Sequence, residues 1–218
     1  MPETLPTAAA IVALHDRCLA EGSSAEDALP RSVDEPPELW RWIATNHSFN
    51  SRLWAEEDLA RRQHVQPAEI AANKRAIDGF NQARNDATER VDELLLMALG
   101  LVDAASARSD APRSTVPAGA RLNSETAGSM IDRLSIMALK VHAMRAQTER
   151  QDVDAEHCAA SLIKLQRLQQ QRQDLAGCLE ALIADARSGV AYFKIYRQFK
   201  MYNDARFNPA LVAELANR

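Results

Sequence analysis

Glycine, aromatic residues and cysteine are all scarce in this 218-residue chain, and each scarcity removes a class of protein. Seven Gly and 5% aromatic content argue against a β-sandwich or barrel, which needs turn glycines and aromatic cross-strand pairs. Three Cys, at Cys18, Cys158 and Cys178, are odd in number and fit no metal spacing, so they read as small hydrophobes in a reducing compartment. An excess of one charge is missing too: 26 Lys+Arg stand against 30 Asp+Glu, a net charge of -4. That balance speaks against a general nucleic-acid or membrane-surface protein, whose partners demand a basic excess. No apolar run approaches the ~18 residues that span a bilayer. The run Ala8 to Leu14 has no basic stretch before it, and His15, Asp16 and Arg17 follow at once, so no signal peptide is expected. A Gly-rich phosphate loop, metal-spaced Cys/His sets and a nucleophile elbow are also missing, and motif chemistry therefore names no reaction. The expected location is the cytoplasm.

What is present is helical periodicity in a chain that is 46% hydrophobic. Residues 7–21 read as a short amphipathic helix with Ile11, Leu14, Cys18 and Leu19 at helical spacing and Gly22 as a stop. A loop rich in Ser, Pro and acids covers 22–37, and a second helix follows Pro36 and Pro37 and runs to about Arg62. Pro67 suits the first turn of a third helix, which meets no internal Pro from Ala68 to Arg108. Residues 109–121 read as an exposed crossover whose Pro, Ser and Gly resist helix formation. A fourth helix opens at Asn123 or Ser124, and its body from Met130 to Met144 is apolar almost all round, which suits the middle of a bundle. A fifth spans about 153–187 before Gly189, residues 190–203 are aromatic and basic, and Asn208 with Pro209 starts a short terminal helix. The pattern predicts an all-α fold, a single-domain antiparallel bundle of five to six helices with one central crossover loop. Its parts are a peripheral N-terminal helix and loop (1–37), helices two and three (38–108), the crossover (109–121) and helices four, five and the C-terminal segment (122–218).

On the third helix Lys74, Asp78, Asn81, Asn85, Thr88 and Asp92 recur at steps of three or four and share one face, flanked by Arg75, Gln82, Asp86 and Glu89. A solvated face is one reading, supported by an i,i+4 pair such as Lys74 with Asp78. The other is chemical: serial Asn and Gln have fixed donor and acceptor geometry and suit an inner network or a ligand site. Asn46, Asn50, Glu57, Arg61 and His64 form a matching stripe on helix two, with Asp58 beside it. If the two helices are antiparallel neighbours, Glu57 and Asp58 are candidates to face Asp86, Glu89 or Asp92, where several carboxylates share a proton or a divalent ion. Helix four adds Ser124, Glu125, Asp132, Arg133 and Lys140. Charges in so apolar a helix need partners, and the polar face of helix three is the first expectation for Asp132 or Arg133.

The C-terminal segment interleaves Tyr192, Phe193, Tyr196, Phe199, Tyr202 and Phe207 with Arg187, Lys194, Arg197, Lys200 and Arg206. That mixture suits a phosphate, a nucleotide or a single strand, or else docks on the bundle while its charges reach water. Metal templates fit poorly. A di-metal bundle needs two Glu-x-x-His pairs and Asp154-x-x-His157 stands alone, while Glu56, Glu57 and Asp58 with Glu89 and Asp92 only partly match the carboxylate clusters of helical nucleotide phosphohydrolases.

Four blocks, NSRLWAEEDLAR (50–61), KRAIDGFNQARNDATERVD (74–92), LNSETAGSMIDRLSIMALK (122–140) and YRQFKMYNDARFNP (196–209), resemble a bacterial all-helical family of unknown function. The resemblance implies a setting near glycosyltransferase or lipopolysaccharide genes, without implying a reaction. The chain departs from the family pattern at Ala55, where His is frequent, and at Ala127, where Pro is frequent. The polar residues of the blocks fall on the stripes already found, with Arg84 added.

These readings converge on a polar pocket between helices that binds or processes an anionic sugar or nucleotide sugar in cell-envelope polysaccharide synthesis. The candidate catalytic residues are Glu57, Asp58, Asp86 and Asp132. The candidate ligand contacts are Asn50, Arg61, Lys74, Arg75, Asp78, Asn81, Gln82, Asn85, Glu125, Arg133, Lys140, Lys200, Tyr202 and Asn203. No dedicated metal site or cofactor is expected, a divalent cation being the one candidate. The expected partners are a sugar phosphate or nucleotide sugar, a glycosyltransferase and a second copy of the chain, with no nucleic acid. The alternatives are a non-catalytic adaptor for a glycosyltransferase and a metal-dependent nucleotide phosphohydrolase. Whether the protein is an enzyme stays open at the level of sequence.

Overall fold

Local chemistry decides where each helix begins and ends. The computed structural model describes residues 5–21, 37–199 and 206–216. Helix α1 is Ala8–Glu21, and α2 is Glu38–Ala60, starting directly after Pro37. Helix α3, Pro67–Ala98, places proline at its first position, where the missing N–H costs nothing, and the Glu69 carboxylate accepts from the Gln66 N–H at 3.2 Å. Helix α4, Ala127–Thr148, is capped by Thr126, whose hydroxyl oxygen accepts from the Ser129 N–H. Helix α5, Ala155–Arg187, is capped in the same way by Asp154 on the His157 N–H. A short α6, Pro209–Ala216, follows.

Helix α3 is ten residues shorter than the absence of proline suggested. Gly100 adopts φ 69°, its N–H bonds the Met97 carbonyl, and the Leu101 N–H bonds the Leu96 carbonyl. This is the Schellman arrangement, which satisfies the last carbonyls and turns the chain. Leu101, Val102 and Ala107 are then buried, so the first part of the stretch read as helix is instead an anchored turn. Helix α5 ends by the same arrangement at Gly189, whose φ is 74°. Beyond it Ala191–Tyr192 (β2) pairs in parallel with Arg121–Leu122 (β1), a ribbon that closes the two ends of the α4–α5 hairpin.

The molecule is an all-α bundle: α2 and α3 form one hairpin and α4 and α5 a second, with α1 laid across α4, α5 and α2. The interior is built from Ile11, Leu14, Ile43, Leu95, Leu96, Ile131, Leu134, Leu179 and Phe193, all essentially inaccessible to solvent. Each such side chain contributes about 1.5–3 kcal/mol by leaving water. The N-terminal helix, read from sequence as peripheral, is therefore a correction: Ile11 and Leu14 of α1 are central core residues. Helix α4 lies in the middle, as its nearly uniform apolarity requires.

Candidate functional site

A buried polar network crosses the helices where an apolar seam would ordinarily lie. Asn46 and Asn50, one turn apart on α2, both donate through Nδ2 to Asp132 Oδ1 of α4 at 2.9 Å. Asn46 also donates to Thr88 Oγ1 of α3 at 3.1 Å, and Asn50 to Ser135 Oγ at 3.0 Å. Arg84 of α3 brings its Nε to 3.8 Å from the same Asp132 oxygen and donates through Nη2 to Asn85 Oδ1. Asp132 is thus compensated by two amides and a guanidinium, as a largely buried carboxylate must be.

Next to this network the three helices leave a cleft of about 320 Å³. Asn50, Asn81, Arg84, Asp58, Glu57 and Arg61 provide polar groups, and Leu53, Trp54, Ile136 and Leu139 provide the apolar surface. Glu57 and Arg61 form an exposed i,i+4 pair at 3.3 Å, which is worth little to stability. Arg84 Nε is buried and makes no hydrogen bond. The cleft therefore joins an indole to amides, two carboxylates and two guanidinium groups, and its lining is electrically balanced.

The structure divides the residues singled out from sequence into groups. Asn50, Glu57, Asp58, Arg61 and Asn81 line the cleft, and Asn85 and Asp132 belong to the network beside it. Lys74, Arg75, Asp78 and Asp86 lie on the exposed face of α3: Lys74 pairs with Asp78 at 2.7 Å, and Asp86 accepts from the half-buried Gln82. Glu125, Arg133 and Lys140 line a different cleft, between α4 and α5, where Arg133 is paired with Glu125 and not with α3. Lys200, Tyr202 and Asn203 lie outside the described residues. Trp54 went unmarked because a Trp on an amphipathic helix reads as core, and Arg84 was carried by the resemblance alone.

The convergence of Glu57 and Asp58 with Glu89 and Asp92 does not occur. Glu89 and Glu93 bind Arg197 at 2.9 and 2.7 Å, and Arg197 also donates to the carbonyls of Ala107 and Ser109. Asp92 is fully buried and accepts from the Gly128 N–H at 2.7 Å. Burial raises its carboxyl to about 7 against the opposing hydrogen bonds of Thr126 and Gly128, with Glu89 and Glu93 adding to the rise. A side chain at Gly128 would meet the Thr88 carbonyl and the Asp92 carboxylate at 2.7–2.8 Å, so only glycine lets α4 approach α3 here. Among the described residues no group of three His, Cys, Asp or Glu side chains is placed to hold a metal ion. The metal-dependent phosphohydrolase reading loses its geometric basis on these contacts.

One feature escaped the sequence reading entirely. His15 of α1 stacks on His47 of α2 with ring centroids 4.6 Å apart, and His47 Nδ1 meets Ser135 Oγ at 2.8 Å. Both His15 nitrogens and His47 Nε2 are buried without partners. Burial, with the charge of Arg172 nearby, lowers His47 to about 4 and His15 well below its ordinary value. They are 32 positions apart on different helices and fall in no shared motif, so nothing in the sequence joins them.

Among the described residues no helix is long and apolar enough to cross a membrane. No curated protein and no solved structure gives a significant match to the chain. A family model described as "Protein of unknown function (DUF4254)" matches residues 40–195, well over half the chain and every residue that lines the cleft, and the chain belongs to that family.

Proposed function

We propose that the α2–α3–α4 cleft binds a sugar, presented as a sugar phosphate or nucleotide sugar, in the synthesis of cell-envelope polysaccharide. The observation that carries the reading is the pairing of Trp54 with Asn50, Asn81 and Arg84 around one cleft, with Arg84 Nε buried and lacking a hydrogen bond. An indole face packs against the apolar side of a pyranose, and amides and guanidinium groups offer donors and acceptors to ring hydroxyls. Asp58 supplies an acceptor, and Arg61 at the exposed end suits a phosphate. The envelope setting comes from the resemblance of the four sequence blocks, and a cytoplasmic location goes with it.

The test is a thermal-shift and calorimetric screen of the full chain with nucleotide sugars and sugar phosphates. A nucleotide sugar or sugar phosphate raises Tm, and Trp54→Ala or Asn81→Ala weakens that binding about tenfold or more. Absence of binding by every such compound overturns the reading, as does binding that both variants leave intact.

A second reading, a non-catalytic bundle that docks a glycosyltransferase or a second copy, draws on Val116, Leu122 and Val190. These apolar side chains stand exposed at and beside the β1–β2 ribbon. Sedimentation of the chain as a monomer, unchanged by Leu122→Glu, speaks against the self-associating form.

A further inference from the structure

A second cavity, of about 540 Å³, lies among α1, α4 and α5 and shares no lining residue with the α2–α3–α4 cleft. Its size falls within the range of small-molecule sites, roughly 300–1,000 Å³. The walls are small and apolar, formed by Ala8, Ala9 and Val12 of α1 against Val141, Ala176 and Gly177. The polar lining is mainly cationic, since Arg145 and Arg172 face a single carboxylate, Asp16, with Gln169 and Gln173 beside them.

Arg172 is the deep cation. It is only 8% exposed, donates through Nη1 to Asp16 at 2.9 Å and through Nη2 to the Val12 carbonyl at 3.1 Å, and its Nε is buried with no hydrogen-bond partner. A buried guanidinium with an open N–H is costly unless an acceptor reaches it.

Gly177 adds an independent observation. It sits inside the 33-residue α5, where glycine is the least favourable residue after proline, yet a Cβ built there meets nothing within 4 Å. Packing therefore does not require glycine. At this exposed position the bare backbone leaves the cavity wall open, and a large side chain such as leucine would reach into it.

We propose that this cavity is a second binding site, for a small amphiphilic anion whose carboxylate or phosphate head meets Arg172 and Arg145 and whose aliphatic body lies against Val12, Val141, Ala176 and Gly177. The two guanidinium groups select the charge and the small-residue walls select the chain.

The experiment is calorimetry and thermal shift on the full chain with octanoate, octyl phosphate, octanol and inorganic phosphate. At least one octyl anion binds and raises Tm, and the head alone or the uncharged chain alone binds about tenfold more weakly or worse. Which anion binds better distinguishes a carboxylate from a phosphate head. Gly177→Leu abolishes the binding while the unliganded Tm holds or rises, and the smaller Gly177→Ala, which keeps the fold in any case, weakens it. Arg145→Gln at the exposed rim also weakens it, and Trp54→Ala in the other cleft leaves it unchanged. Failure of both octyl anions to bind at millimolar concentration overturns the proposal. So does equal binding of octanol, or binding that Gly177→Ala and Gly177→Leu both leave at the wild-type level.

Discussion

Burial acts on opposite charges at Asp92 and at the stacked histidines, so the two sites respond to pH in opposite senses. Asp92 moves from 3.8 up to about 7. Between those values the folded chain keeps a proton that the unfolded chain releases, so this contribution to stability falls as pH rises through the window and is flat above it. His47 moves from 6.5 down to about 4, and His15 moves the same way. There the unfolded chain takes up protons that the folded chain refuses, and stability is lost as pH falls below 6.5. The two slopes oppose one another between about 4 and 6.5. Asp92→Asn is expected to leave the histidine slope exposed, so that urea midpoints rise more steeply from about pH 4.5 to 6.5 than in the wild type. His47→Gln leaves His15 alone against Asp92, so the midpoints rise less steeply over the same range than in the wild type. Wild-type slopes in both variants would contradict the assignment. At the neighbouring Gly128, alanine places a methyl group against the Thr88 carbonyl and the Asp92 carboxylate. Overpacking of this kind costs about 1–3 kcal/mol, measurable by the same denaturation.

At the scale of elements, the strap that follows β2 is held to α3 by electrostatics as much as by packing. Phe193 and Ile195 are buried, Tyr196 and Phe199 are exposed, and Arg197 ties the strap to Glu89, Glu93 and two carbonyls of the turn after α3. Of the two sequence readings of this aromatic and basic segment, its described part follows docking on the bundle. Arg197→Ala leaves Glu93 held by Arg90 alone and Glu89 with only the Gln198 N–H, so its cost falls below the about 3–5 kcal/mol of a buried charge left wholly unpaired. The same loss frees residues 193–199, which hydrogen exchange detects as faster exchange there than in α4. Undisturbed exchange would mean that Phe193 and Ile195 suffice. Helix positions were legible because proline, caps and 3.6-residue periodicity act locally. The end of α3 was not, since a single Gly100 serves either as a weak point within a helix or as its terminator, and burial of Leu101 and Val102 decides between them. The β1–β2 ribbon left no trace in the sequence, as two-residue strands have no period. Register was equally hidden: the α2–α3 hairpin sets Glu57 and Asp58 near Asn81, two or more turns from Glu89 and Asp92. Hence the Asn46 and Asn50 stripe was found without its partner: Asp132 was expected to meet helix three alone, where Arg84 does reach it, but it also accepts from both α2 amides.

At the scale of the whole molecule, α1 lies outside the family-matched span of 40–195, yet the core is incomplete without it. Ile11 and Leu14 are fully buried, Ala8 and Cys18 nearly so, and His15 covers His47. Transfer of the Ile and Leu side chains alone amounts to about 3–6 kcal/mol, which is comparable with the whole net stability of a domain, about 5–15 kcal/mol. Removing α1 also uncovers Arg172, which loses the Asp16 carboxylate and the Val12 carbonyl together. The expected behaviour of residues 37–218 is therefore loss of the cooperative thermal transition and of near-ultraviolet dichroism, with helical far-ultraviolet signal retained and a hydrophobic dye bound. A synthetic peptide of residues 5–21 added in trans restores the transition, because its apolar face completes the packing of the α2, α4 and α5 side chains that it contacts in the full chain. An Ile11→Asp peptide does not, since it carries a charge into a position with no exposed surface. A cooperative melt of residues 37–218 within a few degrees of the full chain would show that the family-matched helices close their own core, and would reduce α1 to a cover over the second cavity.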